Sequence, residues 1–330
     1  MKKKHFNKYC TVFGIMALLL SVLAGCGKGA AGNKNGIRIF MTVNSIDTFR
    51  QTIVDAAKAK AAKEGVELDV ADAHGSIEEQ VEQIKKAQSE GYDVVLCSAV
   101  SVDTAVQLKM SAQEMPIVFF NSCPDEKYLE EGKYVYVGSS EQVAGEFQAE
   151  YLLSALSGME EIKVAIIKGP GNHSASKGRT KGLKKVLAAS GKKISYVFED
   201  SADWDRDKAQ QLFGLFLRTG RSADCIVCNN DTMALGVVQA CKNAGIDLES
   251  VPVIGVDDTA DGCEAIEKGE MAFTVYQSGT GQGEAAVDMA VYLAGGKSEK
   301  DLEHTIEDGT YVWVDFEKVD SQNASQYGKK

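Results

Sequence analysis

Cys225-Ile226-Val227-Cys228-Asn229-Asn230-Asp231-Thr232-Met233-Ala234-Leu235-Gly236 is the stretch that decides the fold. Its first four residues are apolar without alternation, the pattern of a strand buried on both faces. Asparagine and aspartate follow, residue types whose side chains cap helices. A helical pattern then runs over Thr232–Ala244 and stops at Gly245, as glycine stops helices elsewhere.

The same unit repeats along the chain. Strands are predicted at Ile37–Val43, Glu67–Ala71, Val94–Cys97, Ile117–Phe120, Tyr134–Val137, Lys163–Ile167, Ile194–Phe198, Val253–Val256 and Ala272–Tyr276. Helical patterns lie between them, for example Thr48–Glu64, Gln142–Leu156 and Ser176–Ala189. Strands apolar on both faces and separated by helices form βαβ units and parallel sheets. Their number fits two doubly wound α/β domains rather than one sheet. In such sheets a ligand sits beyond the carboxyl ends of the strands. Those ends are polar: Asn121, Asn230, Asp257 and Gln277. Each alone reads as a helix cap or a ligand contact, and four together read as a convergent polar site.

The N-terminus predicts export. Lys2, Lys3, Lys4 and Lys8 precede an apolar run from Tyr9 to Leu23. That run is too short to span a bilayer and fits a signal peptide over residues 1–25. It ends in Leu23-Ala24-Gly25-Cys26, which resembles a bacterial lipobox; the resemblance implies lipid on Cys26 and attachment to the membrane. Residues 26–36, rich in Gly, Ala, Asn and Lys, read as a flexible tether. Without residues 1–25 the chain loses four lysines and no acid, moving the formal charge from −11 to −15. So acidic a body argues against nucleic acid as a partner. Of eight cysteines, Cys97, Cys123, Cys225, Cys228, Cys241 and Cys263 remain after Cys10 and Cys26 are set aside. Their spacing fixes no disulfide framework. The CxxC of Cys225–Cys228 lies in an apolar strand, where small buried side chains are expected rather than redox or zinc chemistry.

Enzyme motifs are incomplete. Gly279-Thr280-Gly281-Gln282-Gly283-Glu284 lacks the third glycine of a dinucleotide loop, and Lys168–Lys177 lacks the second glycine and the Ser/Thr of a P-loop. Gly138-Ser139-Ser140 is no nucleophile elbow. Only His74, His173 and His304 follow the leader, none beside a recognisable nucleophile. No enzyme activity, cofactor or metal is expected.

Four stretches together resemble the type I periplasmic-binding-protein family, the sugar receptors of ABC transporters. They are Met115–Asn121, the loop Lys168–Thr180, Asn229–Gly236 and Val253–Asp257, and the resemblance covers the body almost end to end. It implies two lobes joined by three hinge crossings, near Gly138–Ser140, Tyr276–Gly279 and Thr305–Gly309. The N-terminal lobe would hold 37–138 plus 280–304. The C-terminal lobe would hold 139–279 plus 305–318, leaving 319–330 as a loosely held polar tail. It also implies a monosaccharide, hexose or pentose, bound in the cleft by a monomer that docks on a permease. A sensory receptor for a sugar or furanose signal, feeding a membrane kinase or chemoreceptor, is the alternative. The family's sugar contacts fall on Asp47, Phe49, Asn121, His173, Arg179, Trp204, Asn230, Asp257 and Gln277. Two aromatic rings would cover the faces of a sugar and the polar groups its hydroxyl rim. Ala175 and Ser122 depart from the galactose/glucose pattern, and Ser157–Glu161 is too short for that pattern's calcium loop, so no calcium is expected.

Overall fold

The computed structural model describes residues 36–328; the signal peptide, Cys26 and nearly all of the tether lie outside them. Strand β1 (Arg38–Val43) leads into helix α1 (Thr48–Glu64). Asp47 caps α1, its Oδ1 accepting from the Arg50 N–H at 2.8 Å, and Gly65 ends it at φ 70°. The pattern continues with β2 (Glu67–Asp72), α2 (Ile77–Ser89), β3 (Val94–Cys97), α3 (Ala105–Ala112), β4 (Ile117–Phe120) and β5 (Tyr134–Gly138). The chain then builds α4 (Glu141–Ala155), β6 (Glu161–Lys168), α5 (Ser174–Ala189), β7 (Lys193–Ser201), α6 (Arg206–Arg218) and β8 (Cys225–Cys228). Next come α7 (Asp231–Asn243), β9 (Val253–Ile254), α8 (Ala260–Glu267), β10 (Phe273–Gln277) and α9 (Gly279–Leu293). Three short strands close it: β11 (Ile306–Glu307), β12 (Tyr311–Trp313) and β13 (Phe316–Asp320).

These strands form two sheets, of order β11-β12-β5-β4-β3-β1-β2 and β13-β10-β9-β8-β6-β7. Pairing is parallel except for β11 with β12 and β10 with β13. Each sheet is covered on both faces. In the first, Ile53, Ala57, Ala286 and Met289 of α1 and α9 cover one face, and Val81, Ile84 and Leu108 of α2 and α3 the other. In the second, Phe213, Met233 and Ile266 of α6, α7 and α8 lie opposite Ala149, Leu152 and Leu183 of α4 and α5. Two α/β lobes result, each with a wholly buried central strand such as Val94–Cys97 or Cys225–Cys228.

Helices α4 and α5 cross at glycine. A Cβ on Gly145 would collide with the carbonyl oxygen of Arg179, and one on Gly182 with that of Gln142. The glycines of Gly279–Gly283 likewise serve packing: Gly281 N–H donates to the Ser278 cap at 2.9 Å, and Gly283 lies against the Ile53 carbonyl of α1.

The structure corrects two boundaries. Residues 305–318 do not all join the second lobe: β12 pairs with β5, Val312 opposite Val137, so β11 and β12 extend the first sheet. Only β13 crosses over. The third crossing is therefore Val314–Asp315, not Thr305–Gly309. Nor is 319–330 a loose tail throughout. Val319 and Ala324 are buried, the Tyr327 ring packs on Tyr276 at 5.4 Å, and the Gly328 N–H donates to Asp258 at 3.1 Å. Its polar composition hid two apolar residues spaced to reach the core.

The cysteines from Cys97 to Cys263 are unpaired. Cys225 and Cys228 face opposite cores of one strand, and burial pushes both thiols up. No helix of the described residues is long and apolar enough to cross a membrane.

Candidate functional site

In each sheet the winding direction reverses beside the first strand of the lobe, at β1/β3 and at β6/β8. The loops after β1 and β6 therefore open a crevice at the carboxyl ends. A cleft of about 290 Å³ lies there. All nine residues singled out from the sequence line it: Asp47, Phe49 and Asn121 from the first lobe, His173, Arg179, Trp204, Asn230 and Asp257 from the second, and Gln277 at the second crossing. The cleft also brings in Arg50, Glu141, Thr232 and Thr259, which sequence reasoning missed.

Three helix caps also line the cleft. Asn230 caps α7, its Oδ1 accepting from Met233 N–H at 3.0 Å. That bond leaves its amide nitrogen for the cleft. His173 caps α5 with Nδ1, accepting from Ala175 N–H at 3.2 Å. The cap fixes the tautomer, so Nε2 carries the proton. Burial, with Arg50 and Arg179 nearby, pulls the His173 pKa down to about 3, so the ring is neutral. Asp47 caps α1 and also pairs with the Arg50 guanidinium.

Arg179, only 3% exposed, is the hub. Its Nε donates to Glu141 at 2.7 Å, one terminal nitrogen to the Asn229 carbonyl at 2.6 Å and to Asp257 at 3.2 Å, and the other to Gln277 at 3.4 Å. Four of its bonds therefore stay inside the protein. Arg179 lines the cleft yet is largely engaged within the protein, where it positions the acceptors around it. Burial would lower its pKa, but Glu141 and Asp257 outweigh this and raise it. Burial pushes Asp257 up to about 6 against the pull of Arg179, with Glu141 and Asp47 adding to the rise.

The two aromatics stand at the cleft. Phe49, in the first turn of α1, leans on the first lobe's core. Trp204 sits at φ 67° with its ring over Gly169, where any Cβ would strike the indole. Its edge meets His173 at 5.6 Å and 87°. Left-handed backbone recurs here in non-glycine residues: Asn121 at 58°, Asp203 at 53°, Asp257 at 113° and Asp258 at 56°. Such conformations cost free energy and concentrate at functional sites.

Four buried polar atoms of the cleft have no partner among the described residues: Arg50 Nε, Glu141 Oε1, His173 Nε2 and Gln277 Nε2. Three are donors and one is an acceptor. Buried groups left unpaired each cost about 1–3 kcal/mol, so this concentration points to a polar ligand that completes them.

A family model described as a periplasmic binding protein domain matches residues 37–298. A Rhizobium meliloti protein named for rhizopine binding is 31% identical over 270 residues, covering 81% of this chain and 84% of its own. A D-galactose/methyl-galactoside binding periplasmic protein of Haemophilus influenzae is 27% identical over 338 residues, 98% of this chain and 100% of that one. A solved ABC transporter solute binding protein from Bacillus halodurans, with bound myo-inositol, matches at TM-score 0.78 and 28% identity, over 90% of this chain and 99% of its own. These relatives are binding proteins, not enzymes. Fold, cleft position and matched span agree, and the chain belongs to the periplasmic binding protein domain family.

Proposed function

We propose that the cleft captures one monosaccharide-sized polyhydroxylated ring, outside the cytoplasmic membrane, for delivery to an ABC transporter permease. The observation that carries this reading is the set of four unpartnered buried polar atoms on residues that line the same cleft as Phe49 and Trp204. Hydroxyls both donate and accept, so a polyol satisfies donors and acceptor alike, and a ring offers apolar faces to the aromatics. The galactoside and myo-inositol bound by the relatives support the same chemistry. Asp47, Asn121, Asn230 and Asp257 would meet the hydroxyl rim. Lobe closure over the ring is a hinge motion at the three crossings. Cys26 would hold the monomeric receptor at the membrane through lipid, supported by the Leu23–Cys26 sequence.

A thermal-shift screen of hexoses, pentoses and cyclitols tests the proposal. One of them should raise the melting temperature, increasingly with ligand concentration, and change Trp204 fluorescence. A flat response across the whole screen sinks the reading. For the anchor, Cys26→Ser should move the protein from the membrane fraction to the soluble one; unchanged fractionation removes the lipid.

Binding should also depend on pH through Asp257. Its carboxylate accepts two ligand hydroxyls strongly when ionised and loses an acceptor when protonated, and burial pushes its pKa up to about 6. Affinity should be level above pH 7 and fall as pH drops below about 6, approaching roughly tenfold per pH unit. Calorimetry at pH 5 and pH 8 checks this, and Asp257→Asn should flatten the profile.

A further inference from the structure

We propose that Glu141 and Gln277 together read a single hydroxyl of the ligand, and that this pair rejects rings with hydrogen or an ammonium group at that position. The proposal rests on the polyol reading of the cleft and adds to it a residue and a rule of selection.

Glu141 is the first residue of α4, just beyond the first crossing, and is 7% exposed. Its Oε2 takes the Arg179 Nε–H at 2.7 Å. Gln277 ends β10, just before the second crossing, and is 4% exposed. Its Oε1 accepts from the same guanidinium at 3.4 Å. Arginine is donor-only, so Gln277 must turn its oxygen toward Arg179 and its NH2 away. The two bonds use Nε and the terminal nitrogen on the same edge of a rigid planar fork. The two side chains are thereby held side by side. Their remaining atoms, Glu141 Oε1 and Gln277 Nε2, are both buried and both unpartnered.

One acceptor and one donor, set together by a common arginine, match the two capacities of a hydroxyl. The hydroxyl donates to Glu141 and accepts from Gln277. An ammonium satisfies Glu141 but offers no lone pair to Gln277. A methylene satisfies neither and leaves both polar atoms buried. A carbonyl oxygen accepts from Gln277 and faces Glu141 with no proton to give. Selection at this position is therefore for a neutral hydroxyl.

The probes are D-galactose, D-glucose, D-ribose and myo-inositol, each with its monodeoxy and monoamino analogues. They are titrated calorimetrically into the wild type, E141Q and Q277M, with folding followed by circular dichroism. E141Q keeps its bond to Arg179 through the amide oxygen and turns the free acceptor into a donor. For the parent ring that binds, E141Q should cost at least about tenfold in affinity. One monodeoxy analogue, already about tenfold weaker on the wild type, should lose less than twofold further, and its monoamino counterpart should also bind more weakly than the parent. Q277M should show its insensitivity at the same ring position. An equal loss across all analogues, no loss on the parent, or insensitive positions that differ between the two variants overturns the pairing. If E141Q does not fold, the analogue pattern of Q277M decides: no position-specific insensitivity overturns it. Wild-type protein that binds none of the probes removes the polyol reading itself, and this proposal with it.

Discussion

Arg179→Met is expected to abolish binding and to lower stability by about 3–5 kcal/mol. The residue is almost wholly buried, and so is its partner Glu141. Asp257 depends on the same cation and its side chain is 17% exposed. Removing the guanidinium takes from two largely buried carboxylates the cation they share. Protonation of Asp257 is the escape. Asp257, held near 6 against burial partly by Arg179, should then rise further. The sign follows from linkage: a carboxyl whose folded pKa is raised lends stability below its unfolded value and loses it as pH climbs through the folded one. The deficit of the variant should thus be largest above the raised pKa of Asp257 and narrow as pH falls from there toward about 6. Urea unfolding at pH 5 and pH 8, with calorimetry for binding, measures both effects. A variant within 1 kcal/mol of the wild type that still binds would show that Arg179 is no hub. Arg179→Lys should also bind poorly, because a point charge cannot serve the four acceptors a planar fork reaches.

Gly145→Ala should destabilise by about 1–3 kcal/mol and weaken binding together. The added methyl meets the backbone carbonyl of Arg179 across the helix crossing, and Gly182 already presses the other way against Gln142. Neither contact is the end of a flexible side chain, so one helix must shift. Helix α5 carries Arg179 and begins at the His173 cap, so any shift moves both groups of the cleft. Gly158→Ala is the control: open space surrounds that position, and a change within about 1 kcal/mol is expected. Melting temperatures and ligand titrations of the two variants decide. A Gly145→Ala protein with wild-type melting would mean that the helices part without cost.

The fold was legible because burial on both faces writes itself into a sequence. Val94–Cys97 and Cys225–Cys228 admit no polar residue, and Thr48–Glu64 carries its own cap and stop. The strand ends were legible for the same reason, since polar residues bounded by apolar runs stand out. What stayed hidden depends on pairing across long separations. Tyr311–Trp313 is too short to name its partner, and its place beside β5 appears only in the sheet. Glu141 is an acidic residue in the first turn of a helix, a placement the helix dipole favours anyway and so no signal of a site. Its contact with Arg179 lies 38 residues away in the chain. The same distance effect concealed how fully Arg179 is engaged.

The crossing at Val314–Asp315 has a consequence for how the chain matures. A chain that emerges N-terminus first presents β1 to β5 and three helices early, but the first lobe cannot finish. Helix α9, whose Ala285, Ala286, Val287 and Met289 cover one face of that sheet, begins at residue 279, and β12 comes later still. The second lobe has all five of its helices once residue 267 has appeared and lacks only strands β10 and β13. The second lobe thus has its helices before the first, although its core still awaits Phe316 and Val319 of β13. The earlier one must wait, half-covered, for nearly the whole chain to arrive, which makes it the part most in need of protection from aggregation during synthesis.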